Sequence, residues 1–341
     1  MMNSTPVSKR PELVCPAGSL RALQLAVDAG ADAVYLGLRN ATNARNFPGL
    51  NFDATTLREG MAYAHARGRK VLMALNTYAD AADPSPWYRA VDAAAELGAD
   101  ALIAADIAVL AYAYARHPSL PLHLSVQASA TSYEAIAFYR ERYGIRRAVL
   151  PRVLTLSQVG HLLRHTEVDI EVFGFGSLCV MVEGRCALSS YATGQSPNGA
   201  GVCSPPSAVR WQESGEDVDV RLNGLLIDRY APDEPRGYPT LCKGRFEVAG
   251  RRDYALEEPT SLNTLAILPE LIRLGVRAIK IEGRQRSPSY VEQVTRVWRQ
   301  AIDQAGADAE RFKVQPAWTA ALGHLAEGQQ HSLGAYDRPW R

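Results

Sequence analysis

One local pattern constrains this chain more than any other. It returns four times: Gly30-Ala-Asp-Ala-Val, Gly98-Ala-Asp-Ala-Leu, Gly144-Ile-Arg-Arg-Ala-Val and Gly275-Val-Arg-Ala-Ile. Each copy places a glycine where a helix should stop, then a short turn, then an apolar strand. Glycine supplies the left-handed conformation that a helix C-cap wants, so the pattern marks helix-to-strand connections. Its spacing is irregular, which excludes a solenoid repeat.

Around these joints, short apolar runs alternate with helical periodicities. Strands are expected at 12–14, 33–37, 70–76, 101–104, 122–127, 147–150, 169–173 and 278–282, and helices at, among others, 20–29, 55–67, 88–97 and 133–142. Such alternation implies right-handed βαβ units and a parallel sheet. Eight strands fit a closed, TIM-like (β/α) barrel of the α/β class, with a doubly wound open sheet as the rival. The alternation breaks once, between the strands at 169–173 and 278–282, in a stretch too long for a simple loop. The expected organisation is therefore a disordered leader at 1–10, a barrel over 11–304 carrying an insertion at 174–277, and a C-terminal tail at 305–341 on or near the barrel.

The insertion holds all but one of the five cysteines, as Cys179-x6-Cys186-x16-Cys203-x38-Cys242. The first follows the seventh strand closely, hence at the C-terminal mouth where barrel active sites sit. Small and turn-forming residues surround them (Gly174, Gly176, Ser177, Gly184, Gly199, Gly201), which lets backbone N–H groups approach cluster sulfurs. Four thiolates suit an iron–sulfur cluster or zinc, and free cysteines also serve as inert core. Structural zinc usually takes close cysteine pairs, and none occurs here. Cys15 reads as a structural residue after the first strand.

Composition narrows the function classes. The 341 residues carry 37 Lys+Arg against 36 Asp+Glu, so no electrostatic footprint for nucleic acid stands out. No apolar run is long enough for a bilayer span, and the N-terminal residues lack a secretory h-region, so a cytoplasmic protein without disulfides is expected. A protease would need a nucleophile beside a base, and the seven histidines sit in no such motif.

Residues just past strand ends are the candidates for binding at a barrel mouth: Asn76, Thr77, Asp106, Gln127, Ser129, Arg152, Glu282, Arg284 and Arg286. Asp106 reads equally well as a helix cap. Arg284 and Arg286 are the better candidates for a carboxylate-bearing ligand, because guanidinium forks pair bidentately with carboxylates. The polar segment 39–51 after the second strand is expected to act as a lid over the mouth, with an ordered surface loop as the alternative.

Several segments resemble the collagenase-like peptidase family: Glu12-Leu-Val-Cys-Pro-Ala-Gly18, Phe173-Gly-Phe-Gly-Ser-Leu-Cys-Val-Met-Val-Glu-Gly-Arg-Cys186 and Lys280-Ile-Glu-Gly-Arg284. A ubiquinone-biosynthesis branch of that family is the nearer likeness. It is carried by Thr42-Asn-Ala-Arg-Asn-Phe47, Ser125-Val-Gln-Ala-Ser-Ala130, Tyr238-Pro-Thr-Leu-Cys-Lys-Gly-Arg245, Leu256-Glu-Glu-Pro-Thr-Ser-Leu-Asn263 and Gly283-Arg-Gln-Arg-Ser-Pro288. The resemblance runs from about Pro11 to the C-terminus. It implies a 4Fe-4S cluster on Cys179, Cys186, Cys203 and Cys242. It also implies oxygen-independent hydroxylation of the ring of ubiquinone precursors, with prephenate as oxygen donor, in a heterodimer with a UbiV-like paralogue. A lipid-carrier protein delivering the precursors fits the same picture. Other family members hydroxylate tRNA or rRNA, so an RNA base hydroxylase is the alternative. A scaffold stapled by metal is the third reading, and peptidase activity is not expected.

Overall fold

The structure, a computed structural model, describes residues 10–179, 181, 185–200 and 202–337. Seven strands follow in order around a parallel sheet: β1 (Glu12–Pro16), β2 (Ala33–Leu36), β3 (Lys70–Leu75), β4 (Ala101–Ala104), β5 (Leu122–Leu124), β6 (Arg147–Val149) and β7 (Asp169–Ser177). The next strands belong to the insertion. β8 (Val209–Ser214), β9 (Asp217–Leu222) and β10 (Leu225–Tyr230) form an antiparallel meander, and β11 (Arg245–Val248) pairs with β12 (Arg251–Tyr254) as a hairpin. The chain returns to the barrel as β13 (Ser261–Asn263), and β14 (Ala278–Ile281) slots between β7 and β1. That last pairing closes an eight-stranded parallel barrel, so the closed reading holds over the open sheet.

Helices cover the outside: α1 (Leu20–Asp28), α2 (Ala54–His65), α3 (Ser85–Glu96), α4 (Ile107–Arg116), α5 (Tyr133–Tyr143) and α6 (Leu156–His165). Two short ones, α7 (Ala187–Thr193) and α8 (Pro197–Ala200), lie in the insertion; α9 (Leu268–Leu274) and α10 (Pro288–Ala307) return to the barrel wall. The local reasons are visible in the residues. The four pattern glycines, Gly30, Gly98, Gly144 and Gly275, all have positive φ at a helix end. Asp53 and Thr155 open α2 and α6 with reciprocal capping boxes, which satisfy N–H groups that the first helical turn leaves free. α10 buries Val291, Val294, Trp298, Ala301 and Ala305 at three- and four-residue spacing against the sheet.

Two boundaries differ from the sequence reading. The insertion at 174–277 is narrower in the structure, because β7 continues to Ser177 and β13 pairs antiparallel with it. The ends of the inserted stretch are thus hydrogen-bonded to each other, a long-range pairing that no local pattern encodes. At the other end, the tail forms α11 (Pro316–Leu325) and β15 (His331–Ser332), which pairs with β13. Trp318 of α11 stacks on Phe312 and donates from Nε1 to Gln300 of α10 at 3.0 Å. Of the expected leader, residues 1–9 lie outside the described residues, while Arg10 pairs with Asp303 and Asp32. No helix among the described residues is long and apolar enough to cross a membrane.

The barrel interior is divided. Val14, Ala33, Tyr35, Leu72, Ala74, Ala101 and Ile103 from β1 to β4, with Ala278, form one apolar cluster. Opposite them stand charges. Lys280 Nζ meets Glu171 at 2.7 Å, Arg147 meets Glu171 at 3.3 Å and Glu12 at 2.8 Å, and Lys70 meets Glu12 at 2.6 Å. Burial alone would raise the pKa of Glu171, but Lys280 and Arg147 outweigh it and hold the carboxylate ionised. His123, beside them, is pushed down to about 3 by burial and by Arg147, and so stays neutral.

Candidate site at the barrel mouth

The upper layer of that interior is the floor of a pocket. Tyr35, Ala74, Ile103, Val149, Phe173 and Lys280 form its base, and Arg45, Asn76, Ser125, Gln127, Arg152, Glu282 and Arg284 its rim. It opens at the C-terminal ends of the strands, where barrel sites belong. Its cavity of about 60 Å³ is room for a few waters.

Five of the nine strand-end candidates line this pocket: Asn76, Gln127, Arg152, Glu282 and Arg284. Asn76 Oδ1 accepts the Ala44 N–H at 3.1 Å. The guanidinium of Arg152 lies 4.3 Å from the Phe173 ring centroid. Arg284, almost wholly buried, donates to Asn43 Oδ1 at 2.7 Å, and burial lowers its pKa to about 10. Glu282 Oε2 accepts the Ser177 N–H at 3.2 Å. Burial would raise its pKa, but Arg286, Arg45 and Arg152 hold it below the ordinary carboxylate range. Gln127 sits on a short 3-10 turn after β5, its carbonyl taking the Tyr78 hydroxyl at 2.6 Å.

Arg286 does not line the pocket but reaches Glu327 at 3.1 Å, away from its expected carboxylate ligand. Its neighbour Gly283 turns the chain there, so the two arginines face different sides. Other strand-end candidates have structural duties. Thr77 is buried and bonds Ala41 and Trp87, Asp106 caps α4 and also accepts the Ala79 N–H, and Ser129 takes the left-handed conformation that ends the 3-10 turn.

The segment 39–51 contributes Arg45 to the pocket lining and is held in place by its own hydrogen bonds. Thr42 and Asn43 are fully buried, and Asn43, Asn51 and Asn76 tie the loop together through Leu38, Arg45 and Ala44. Sequence reasoning missed Tyr35, Arg45 and Lys280. Tyr35 and Lys280 sit inside strands, and only the inward phase of β2 and β14 reveals them.

The cysteines lie above this mouth. Cys15 does not join them: it is fully buried and accepts from Thr295 at 3.2 Å, as a structural residue should. Burial pushes the Cys203 thiol up, with Cys179 and Cys186 adding to the shift. Burial likewise lifts Cys242 to about 11, with Cys179 and Cys203 contributing. Cys203 is thus within electrostatic reach of Cys179 and Cys186, and Cys242 of Cys179 and Cys203, although residues 180, 182–184 and 201 between them lie outside the described residues. Among the described residues no three His, Cys, Asp or Glu side chains converge tightly enough for a single metal ion. Four thiolates are soft donors of the kind that suit an iron–sulfur cluster as well as zinc. Cys186 caps α7, its sulfur accepting the Ser189 N–H at 3.3 Å, the kind of bond that tunes a cluster's potential.

Cysteine segment and pocket are joined physically. Arg185, next to Cys186, stacks 4.3 Å over the Tyr78 ring and donates to its hydroxyl. Asn198 accepts the Tyr78 N–H at 3.0 Å. On the far side, Lys243, next to Cys242, pairs with Glu327, which also takes a bond from Ser177 at the end of β7.

Comparison with known proteins places the chain in context. The profile of peptidase family U32 matches residues 18–336. The chain is 33% identical over 322 residues to tRNA hydroxylation protein P of Escherichia coli (strain K12), covering 87% of this chain and 69% of that one. It is 30% identical over 302 residues to the 23S rRNA 5-hydroxycytidine C2501 synthase of the same strain, covering 87% of this chain and 40% of that one. Among solved structures, the U32 peptidase Mk0906 is similar with a TM-score of 0.41 and 17% identity, over 51% of this chain and 72% of that one.

Proposed function

From the premise that the chain belongs to peptidase family U32, we propose that it is the iron–sulfur subunit of an oxygen-independent hydroxylase acting on the aromatic ring of ubiquinone precursors. Relatives named for hydroxylation support the reaction class. The segments that resemble the ubiquinone-biosynthesis branch support the substrate, since several meet at one place. Thr42–Phe47 supplies part of the wall, Ser125–Ala130 supplies Gln127, 283–288 contains Arg284, and 238–245 contains Cys242. One observation carries the reading: the Cys203 thiol, within reach of Cys179, Cys186 and Cys242, also feels Arg45 of a pocket that combines apolar walls with Arg45, Arg152 and Arg284.

In this reading Cys179, Cys186, Cys203 and Cys242 hold a 4Fe-4S cluster, which supplies electron transfer when bound. Tyr35, Ile103 and Phe173 enclose an apolar ring. The arginines attract the carboxylates of a donor such as prephenate, and Glu282, held ionised, is placed to take a proton from a bound hydroxyl. A UbiV-like paralogue completes the enzyme, and a lipid-carrier protein presents the prenylated precursor. Nothing in the pocket resembles a nucleophile–base pair, in keeping with a hydroxylase and not a protease.

The test is iron and acid-labile sulfide on anaerobically purified protein, about four of each per chain being expected. Each cysteine-to-serine variant should lose iron while Cys15→Ser keeps it. Hydroxylation of a ubiquinone precursor is then assayed with the paralogue present. Stoichiometric zinc without sulfide would overturn the redox reading. The second reading, RNA base hydroxylation, is favoured by the relatives' names. Loss of a hydroxylated nucleoside, with quinone synthesis intact, in a strain lacking this protein would select it.

A further inference from the structure

The pocket contains a polar group that the fold leaves unserved. Gln127 is 3% exposed, yet neither its Nε2 nor its Oε1 has a hydrogen-bond partner. Buried polar side-chain atoms are nearly always paired, and an orphaned pair on one amide costs stability that the fold must recover elsewhere. The position is nonetheless tightly built. Ser125 Oγ accepts the Gln127 N–H at 3.3 Å, Tyr78 donates to its carbonyl, and Ser129 ends the turn with φ +53°. Only the amide head, on the pocket lining, is without partners.

We propose that Gln127 is the specificity-determining residue of this pocket, selecting anionic cyclic acids that also carry a hydroxyl. The inference rests on the reading of the mouth as the reaction pocket and deepens it. The arginines on the rim satisfy a carboxylate, but every one of them is a donor only. Gln127 offers an acceptor, Oε1, beside two N–H donors, so a hydroxyl that both donates and accepts satisfies the amide as no arginine can. A ligand without that hydroxyl leaves the amide unpaired and gains nothing from it. Sites built in this way reject the analogue that lacks the group much more strongly than apolar sites reject a missing methylene. Tyr78 ties this amide's backbone to Arg185, so the cysteine-bearing segment helps to hold the selecting group in place.

The experiment uses the full chain, reconstituted anaerobically, with two probes that share ring and carboxylate and differ by one hydroxyl: 4-hydroxyphenylpyruvate and phenylpyruvate. Calorimetry on wild type should show the hydroxylated probe binding about tenfold or more tightly. Gln127→Leu should erase that ratio by weakening the hydroxylated probe alone, and Gln127→Glu, which keeps an acceptor, should retain part of it. The melting temperature of ligand-free Gln127→Leu separates this role from a structural one, because removing an orphaned amide should raise it. Equal binding of both probes by wild type, or an unchanged ratio in Gln127→Leu, would overturn the assignment of Gln127 while leaving the pocket. Binding of neither probe would overturn the pocket reading together with it.

Discussion

Two layers of the same barrel interior treat their polar groups in opposite ways. In the lower layer, Arg147, Glu171 and Lys280 are matched to one another and to Glu12, which also meets the exposed Lys70, as ion pairs between barrel strands. In the layer above, Gln127 keeps an amide without partners and Arg284 holds a guanidinium so buried that its pKa falls to about 10. Lys280 belongs to both, paired with Glu171 below and lining the pocket above. The contrast separates polar residues that hold the fold from polar residues the fold tolerates because a ligand needs them. Substitutions below should cost stability, and substitutions above should cost recognition.

The largest effect is expected from Glu171→Gln, which leaves Lys280 and Arg147 buried with too little countercharge. It should destabilise by about 3–5 kcal/mol, read as a shift in the urea midpoint. An unchanged midpoint would break the comparison at its strongest point. Gly18→Ala comes next. A Cβ there would lie 1.9 Å from the Arg284 carbonyl oxygen, so backbone must move. A loss of about 2–3 kcal/mol is expected, with weaker anion binding as the Arg284 segment shifts.

His123 offers a pH test of the lower layer. Its folded pKa of about 3 lies below the ordinary histidine value, so the unfolded chain binds the extra proton first as pH falls. The native state should therefore lose stability from about pH 6.5 downwards, about 2 kcal/mol by pH 5 from this residue. His123→Leu should flatten that part of the stability–pH curve. The smallest effect has the opposite sign: Gln127→Leu should stabilise the ligand-free protein by about 1 kcal/mol, visible as a small rise in melting temperature.

Much of the barrel was legible in the residues because its information is local. Glycine stops and apolar runs placed all eight strands, most within one residue at each end, though β5 stops short of the expected 127 in a 3-10 turn. What failed was non-local. The extension of β7 to Ser177 and its pairing with β13 depend on a segment that returns after the insertion. The pocket shows the same divide. Asn76, Gln127, Arg152, Glu282 and Arg284 lie just past strand ends, where position alone nominates them. Tyr35 and Lys280 are mid-strand, and choosing them requires knowing which face of each strand turns inward. Arg45 sits in a loop whose path across the mouth is set by hydrogen bonds from Asn43, Asn51 and Asn76.

The pairing of Ser261 with Ser177 has a consequence for how such a protein can change. Residues 178–260 leave the barrel and rejoin it where Ser177 pairs with Ser261, the first of three residue pairs between β7 and β13, so the distance the cassette must span is already set by those strands. Its length is then nearly free, since lengthening a closed loop adds only a logarithmic cost in entropy. A segment with that attachment can be lengthened, shortened or exchanged while the barrel beneath keeps its geometry. What sits over the mouth can diverge faster than the pocket it covers.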